Sequence, residues 1–262
     1  VKSSPEKKIK IVSWNVNGIR AVLKKGLLDW LARESPDILC LQEIKARSQQ
    51  LPPELLYPAG YHVYWNSALR PGYSGVAVFT KQKPVSVKNG LGVPRFDEEG
   101  RVLELEFENF RLFNIYFPNG KMNAERLRYK LDFYEESLRA FRALAGRGER
   151  IVVCGDYNTA HKPVDLARPR ENEKVSGFLP VEREWMDRLS AGGFLDTFRL
   201  FTQDPGHYTW WDTLSRARER NVGWRIDYHF ISSNLRPHLR DAFIQPEVLG
   251  SDHCPVGILL HF

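Results

Sequence analysis

The stretch "RVLELEFENFRLFNIYF", residues 101–117, is two β-type runs set almost end to end, and the fold turns on how many more such runs the chain holds. Working outward, comparable runs appear as "IKIVSW" from Ile9, "DILCLQ" from Asp37, "HVYW" from His62 and "GVAVFT" from Gly75. Beyond it lie "RIVVCG" from Arg150, "YTWW" from Tyr208, "WRIDYHFI" from Trp224 and "CPVGILLHF" from Cys254. About ten strands are too many for one compact sheet with helices on both faces, so two packed sheets are expected. Helical spacing is clear between Met122 and Ala145, where Leu127, Leu131, Tyr134, Leu138, Phe141 and Ala145 form one apolar face. Weaker helical patterns run from about Ile19 to Ala32 and from Val181 to Ser190, each placed to cover the outside of a sheet. The expected architecture is an α/β four-layer sandwich, helix–sheet–sheet–helix, in a single domain over residues 1–262.

The bulk numbers narrow the class. The chain has 262 residues, 42% of them hydrophobic and 27% charged, which is ordinary for a soluble globular protein. No apolar run approaches the ~20 residues of a membrane span, and no secretory apolar segment is seen. The three cysteines are odd in number and lack C-x-x-C spacing, so a reduced, intracellular (cytoplasmic) setting is expected. The stretch before the first strand is short, so no long regulatory tail is expected. The 38 basic residues exceed the 32 acidic ones, a net charge of +6. That balance suits either a polyanionic partner or a solvated basic surface.

The polar residues that interrupt the strands carry more information. Asn15 and Asn17 follow "IKIVSW", Glu43 follows "DILCLQ", Asp156 and Asn158 follow "RIVVCG", and Asp252 with His253 precedes "CPVGILLHF". Strand ends are where open α/β sheets gather ligands. Singly, each has a plain reading: "NG" as a turn, "GD" as a turn and cap, Glu43 as an exposed acid. If Glu43, Asp156 and Asp252 converge, carboxylates ~4 Å apart repel by about 4 kcal/mol at an effective dielectric of 20 and require a cation or a raised pKa. Oxygen ligands suit Mg²⁺ or Mn²⁺, and no His/Cys spacing fits zinc. His253 needs an orienting carboxylate, for which Asp227 is the best candidate, although an arginine-paired strand acid is the other reading of Asp227. Cys254 is expected to pack inward at the start of the last strand, since neighbouring strand residues face opposite ways and His253 cannot serve it as a base.

The strings "SWNVNGIRA", "PDILCLQEIK", "GYSGVAV", "EGRVLELEF", "IYFPNG", "CGDYNTAH", "DLARP", "NVGWRIDY" and "GSDHCP" occur in that order over nearly the whole chain. Together they resemble the exonuclease III family of apurinic/apyrimidinic (AP) endonucleases. The resemblance implies the DNase I-like fold, and a Mg²⁺-dependent repair nuclease, with Mn²⁺ as a possible substitute, that acts as a monomer on duplex DNA carrying abasic or damaged sites. It implies Glu43 as the main metal ligand, with Asn17 and Asp252 close to the metal, Asn17 standing where relatives carry either aspartate or asparagine. Asp156 is implied to activate water, with Asn158 and Asn15 positioning it, Tyr116 to contact the scissile phosphate, and His253, paired to Asp227, to bind or protonate a phosphate oxygen. Arg20, Lys24, Tyr73, Arg101 and Lys121 match or lie near DNA-contact positions. Trp210, Trp224 and Ile226 match an apolar pocket for a flipped-out baseless sugar, and Asn172 one of two pocket asparagines; the second falls on Val175. Trp211 is expected in the core, and "SRARERN" (215–221) either grips a strand or is a solvated face. A phosphatase of the same fold acting on a lipid or inositol phosphate, and a DNA-binding module without catalysis, are the rival readings.

Overall fold

A computed structural model describes residues 7–262. Twelve strands form two six-stranded sheets: β1 (Lys8–Asn15), β2 (Ile38–Gln42), β3 (His62–Asn66), β4 (Val76–Thr80), β5 (Ser86–Asn89), β6 (Val102–Glu106), β7 (Arg111–Tyr116), β8 (Ile151–Asp156), β9 (Phe194–Asp196), β10 (Asp227–Ser232), β11 (Leu239–Ile244) and β12 (Val256–His261). The first sheet runs β11-β12-β1-β2-β4-β3 and the second β5-β6-β7-β8-β10-β9. Each has one parallel pair, β1 with β2 and β7 with β8, and is otherwise antiparallel. Parallel neighbours need a crossover. Helices Ile19–Leu23 and Leu27–Glu34 supply the first, helix Ala124–Ala145 the second.

Strand alternation sorts the core into three layers. Ile9, Ile11, Ile38, Cys40, Val76, Val78, Leu103, Leu105, Leu112, Val152, Cys154, Ile231, Ile258 and Leu260 fill the space between the sheets. The opposite residues of the first sheet, such as Val12, Trp14, Leu39 and Phe79, pack against Val22, Leu27 and Trp30 of the outer helices. Those of the second sheet, such as Phe113, Ile115, Val153 and Phe230, pack against Phe133, Leu138, Phe141, Trp185 and Leu189. The expected four layers are present, and burial of each large side chain contributes ~1.5–3 kcal/mol.

Nine of the ten runs read as strands are strands; "YTWW" is instead a loop in which Trp210 makes isolated bridges to Trp224 and His253. β5, β9 and β11 escaped sequence reading because β5 is wholly exposed, β9 has three residues and β11 carries a register shift beside Leu239. The first expected helix is two, broken at Gly26, whose φ of 94° turns the chain. The long helix starts at Ala124, where the Asn123 side chain accepts a hydrogen bond from the Arg126 N–H. Its buried face includes Lys130 among the apolar residues.

The same alternation positions the site. Along β1 the inward residues are Ile9, Ile11, Ser13 and Asn15; along β8 they are Val152, Cys154 and Asp156; along β10, read backwards, Ile231, His229 and Asp227. With Gln42 ending β2 and Asn114 and Tyr116 ending β7, the gap between the sheets is apolar at one edge and polar at the other.

Candidate active site

Register brings the polar groups together. Tyr116 and Asp227 are the partners of Asp156 on either side of β8, and Asn15 pairs with Gln42, one residue before Glu43. Gly155 lets β7 and β8 approach: at its φ of 139°, an added Cβ would stand 1.8 Å from the Ile115 carbonyl oxygen. The non-glycine residues with positive φ include Asn17, Glu43, Lys45 and Asn158, an accumulation of backbone strain costing of order 1–3 kcal/mol per residue that marks a site held by its surroundings.

Asn15 is the hub. Its Nδ2 donates to Glu43 Oε1 and Asp156 Oδ2, both at 2.9 Å, while its Oδ1 accepts from Asn17 N. Asn158 N donates to Asp156 Oδ1 at 2.8 Å, so the "GD" stretch is a turn and a site residue at once. Asn158 is held in turn through Nδ2 to the Phe117 carbonyl and by Asn119, whose Nδ2 donates to Asn158 Oδ1. His253 Nδ1 lies 2.8 Å from Asp227 Oδ2, which also accepts from Thr209 Oγ1 at 2.6 Å, and His253 Nε2 faces Asp156 Oδ2 at 3.9 Å. Asp227 therefore pairs with the histidine; its Oδ1 is buried without a hydrogen bond.

Four carboxylates, Glu43, Asp156, Asp227 and Asp252, face two ammonium groups, Lys45 at 2.8 Å from Glu43 and Lys121 across the cavity, and one imidazole. The titrations reflect this imbalance. Burial, then the charges of Asp227 and Glu43, push Asp156 up despite the opposing pull of His253. Burial pulls His253 down, but Asp227, Asp156 and Asp252 outweigh it and raise it well above its ordinary value. Burial and Glu43 raise Tyr116, keeping its hydroxyl a donor at neutral pH. Burial also raises Cys254, which is fully buried and apart from the chemistry.

One cavity of about 220 Å³ collects these groups: Glu43, Tyr116, Asn119, Lys121, Asp156, Asn158, Gly177, Trp210, Trp224, Ile226, Asp252 and His253 line it. Trp210 and Trp224 meet edge to face with centroids 6.4 Å apart, and Phe178, Leu166 and Ala160 pack with them and Ile226. Lys121 Nζ sits 5.0 Å from the Trp210 ring centroid. Arg20 and Lys24 are exposed, on a groove shared with Lys25 and Lys45.

Several expectations change. Ligand atoms of Glu43, Asp156 and His253 lie within 4.8 Å of one another. Asn17, beside them, bridges, its Oδ1 accepting from Lys45 and its Nδ2 donating to Asp252 Oδ1, while Asp252 Oδ2 accepts from Trp210 Nε1. Arg101 is not a surface cation: it is 2% exposed, donating to the Tyr116 carbonyl, Tyr73 hydroxyl and Glu99, with its guanidinium 4.6 Å from the Tyr116 ring centroid. Tyr73 is likewise tied to Arg101 and Arg126. Asn172 lies off the cavity, its Nδ2 donating to the Arg168 carbonyl. In "SRARERN", Arg218 clamps the loop before Asp252 by donating to the carbonyls of Pro246, Val248 and Ser251. Lys45 and Asn119 were missed, although "QEIK" and "PNG" placed both beside residues that were read.

The Endonuclease/Exonuclease/phosphatase family pattern matches residues 12–253. An exodeoxyribonuclease of Bacillus subtilis (strain 168) is 44% identical over 97% of this chain and 100% of its own. The chain belongs to the endonuclease/exonuclease/phosphatase family. Within this family it is also 43% identical to the DNA repair nuclease APEX1 of Danio rerio, covering 96% of this chain and 82% of that protein. An AP endonuclease from Archaeoglobus fulgidus superposes with a TM-score of 0.88 at 29% identity, covering 96% of this chain and 99% of that one. A 3′ phosphatase from Neisseria bound to a product DNA hairpin superposes at 0.89 and 29% identity, covering 95% and 98%. These relatives place this family member in the exonuclease III branch, with the DNase I-like fold. Among the described residues no helix is long and apolar enough to cross a membrane.

Proposed function

We propose that the protein is a Mg²⁺-dependent DNA-repair nuclease that hydrolyses the phosphodiester 5′ to an abasic site in duplex DNA and trims 3′ ends. The carrying observation is the cavity itself: hydrolytic groups and an apolar corner of Trp210, Trp224 and Ile226 share one space of about 220 Å³. Such a corner takes a deoxyribose without its base and refuses an intact nucleotide, and an abasic nucleotide unstacks cheaply. Arg20, Lys24 and Lys121 supply phosphate contacts that carry no sequence information.

The residues fit a hard cation, because the carboxylates outnumber the local positive charges; Asp227 Oδ2 and both Asp252 oxygens are taken by protein donors, which leaves Glu43 and Asp156 to face the ion. Glu43 would hold the ion beside Asp156, with Mn²⁺ as a substitute. When bound, the cation supplies charge for the non-bridging oxygens and the departing 3′ oxygen. Asp156, held basic by burial and by Asp227, takes a proton from the attacking water. The water oxygen bonds to phosphorus, the bond to the 3′ oxygen breaks, and that oxygen takes a proton from solvent, leaving a 3′ hydroxyl and a 5′ phosphate. His253, kept charged by Asp227, donates to a phosphate oxygen and does not serve as the base. Tyr116, which lines the same cavity and keeps its proton, donates to the phosphate as well.

The test is incision of a duplex carrying one tetrahydrofuran abasic analogue, with Mg²⁺ and with EDTA. Mg²⁺-dependent cutting 5′ to the analogue is expected. Binding without cutting, or phosphate release from an inositol phosphate instead, would overturn the proposal.

A further inference from the structure

A buried ion pair lies behind the apolar corner. Lys130 and Glu182 are both 0% exposed, with Lys130 Nζ 2.7 Å from Glu182 Oε1. Their remaining bonds go to the cavity wall. Lys130 Nζ donates to the Asn158 carbonyl and to Thr159 Oγ1, both at 2.8 Å. Glu182 Oε2 accepts from Gly177 N at 2.6 Å and Leu179 N at 3.0 Å, and its Oε1 accepts from Ser176 Oγ at 2.8 Å. The pair therefore ties three pieces of chain, the long helix, the turn after β8 and the segment 176–179, at the place where catalytic and apolar walls join.

What it holds is tightly specified. Gly177, at a φ of 101°, lines the cavity, and an added Cβ would stand 3.2 Å from Trp224 Cζ3. Phe178 packs against Trp224 with centroids 6.5 Å apart, and Ala160 N donates to the Gly177 carbonyl. A shift of segment 176–179 would move the wall against which Trp224 rests, while the carbonyl grip on Asn158 fixes the neighbour of Asp156. A buried ion pair is a poor device for stability alone, since apolar residues of similar volume often match or exceed it. Three of its polar bonds here end on backbone groups, the Asn158 carbonyl and the Gly177 and Leu179 N–H groups, and Asn158 and Gly177 line the cavity.

We infer that Lys130 and Glu182 are positioning residues that set discrimination for the baseless sugar, by fixing the Gly177–Phe178 wall against Trp224. This rests on the nuclease reading above. The test is the ratio of two Mg²⁺-dependent rates measured on one preparation: incision at a tetrahydrofuran analogue, and release of 3′ terminal nucleotides from an intact duplex. A ratio is independent of the folded fraction, so a variant that folds poorly still reports. Wild-type incision in parallel tests the underlying reading separately. The apolar swap Lys130→Met with Glu182→Leu, and the milder Glu182→Gln, are expected to lower the ratio at least tenfold and fivefold respectively. KM for the abasic duplex should rise more than kcat falls. Both rates falling together at a constant ratio, as a purely structural role requires, or neither changing, would overturn the inference.

Discussion

Two buried carboxylate clusters sit at the same edge of the second sheet, and they are wired in opposite ways. In one, Asp165 Oδ1 accepts from Arg225 Nε at 2.8 Å and Arg199 Nη2 at 2.6 Å, and Arg225 also grips both oxygens of Asp196, at 3.0 and 2.6 Å. Burial raises the Asp165 pKa, but the two arginines outweigh it and hold it below the ordinary value. In the other, Asp156 is as deeply buried, has only amide donors and a histidine shared with Asp227, and is pushed up. The first cluster is closed and serves the fold. The second leaves its carboxylates in excess of the positive charges around them, which is what a site for a cation offers beforehand.

Substitutions should separate the two by kind of effect. Asp156→Asn removes the proposed base and is expected to lower turnover about 10³–10⁴-fold with duplex affinity kept. Steady-state kinetics beside a binding titration checks this, and near-normal turnover would break the assignment. His253→Ala should cost about 10²–10³-fold, with Asp227→Asn milder because the imidazole stays in place.

Asp165→Asn should act on stability instead, costing about 3 kcal/mol because it leaves buried arginines under-paired, with kcat per folded molecule unchanged. Its pH dependence has a defined sign. The folded-state pKa is depressed, so the stabilisation is full above the unfolded value near 4 and is lost as pH falls through the folded value. The gap in unfolding free energy between wild type and Asp165→Asn should therefore be constant at neutral pH and narrow below about pH 4. Widening in acid would contradict the wiring. The smallest expected effect is that of Cys254→Ser, whose thiol is buried outside the cavity: the rate should stay within twofold.

How much of this was legible follows from spacing. The inward parity of β1, β8 and β10 could be counted from the sequence, and it carries Asn15, Asp156 and Asp227 to one edge. The two open readings of Asp227 resolve two residues away: the arginine in "WRID" pairs with Asp165 and Asp196, leaving Asp227 for His253. Arg101 was illegible because it sits in "EGRV", where its neighbour Glu99 turns it inward beneath Tyr116. Asn172 ends a short helical turn, Pro169–Asn172, too brief for any periodicity to show. Lys130 falls beside the apolar stripe of the long helix, between Leu127 and Tyr134, and its partner 52 residues away explains how a charge is buried there.

The central claim is that the cluster around Asp156 awaits a cation whereas the one around Asp165 is complete. Thermal unfolding with Mg²⁺ and with EDTA, on wild type, Glu43→Gln and Asp165→Asn, tests it without any catalysis. Binding to the native state alone adds about 2.7 kcal/mol at a hundredfold excess over Kd. Wild type should melt higher with Mg²⁺, Asp165→Asn should start lower yet gain as much, and Glu43→Gln should lose most of the gain; an unmoved wild type, or an equal gain in Glu43→Gln, would contradict the account.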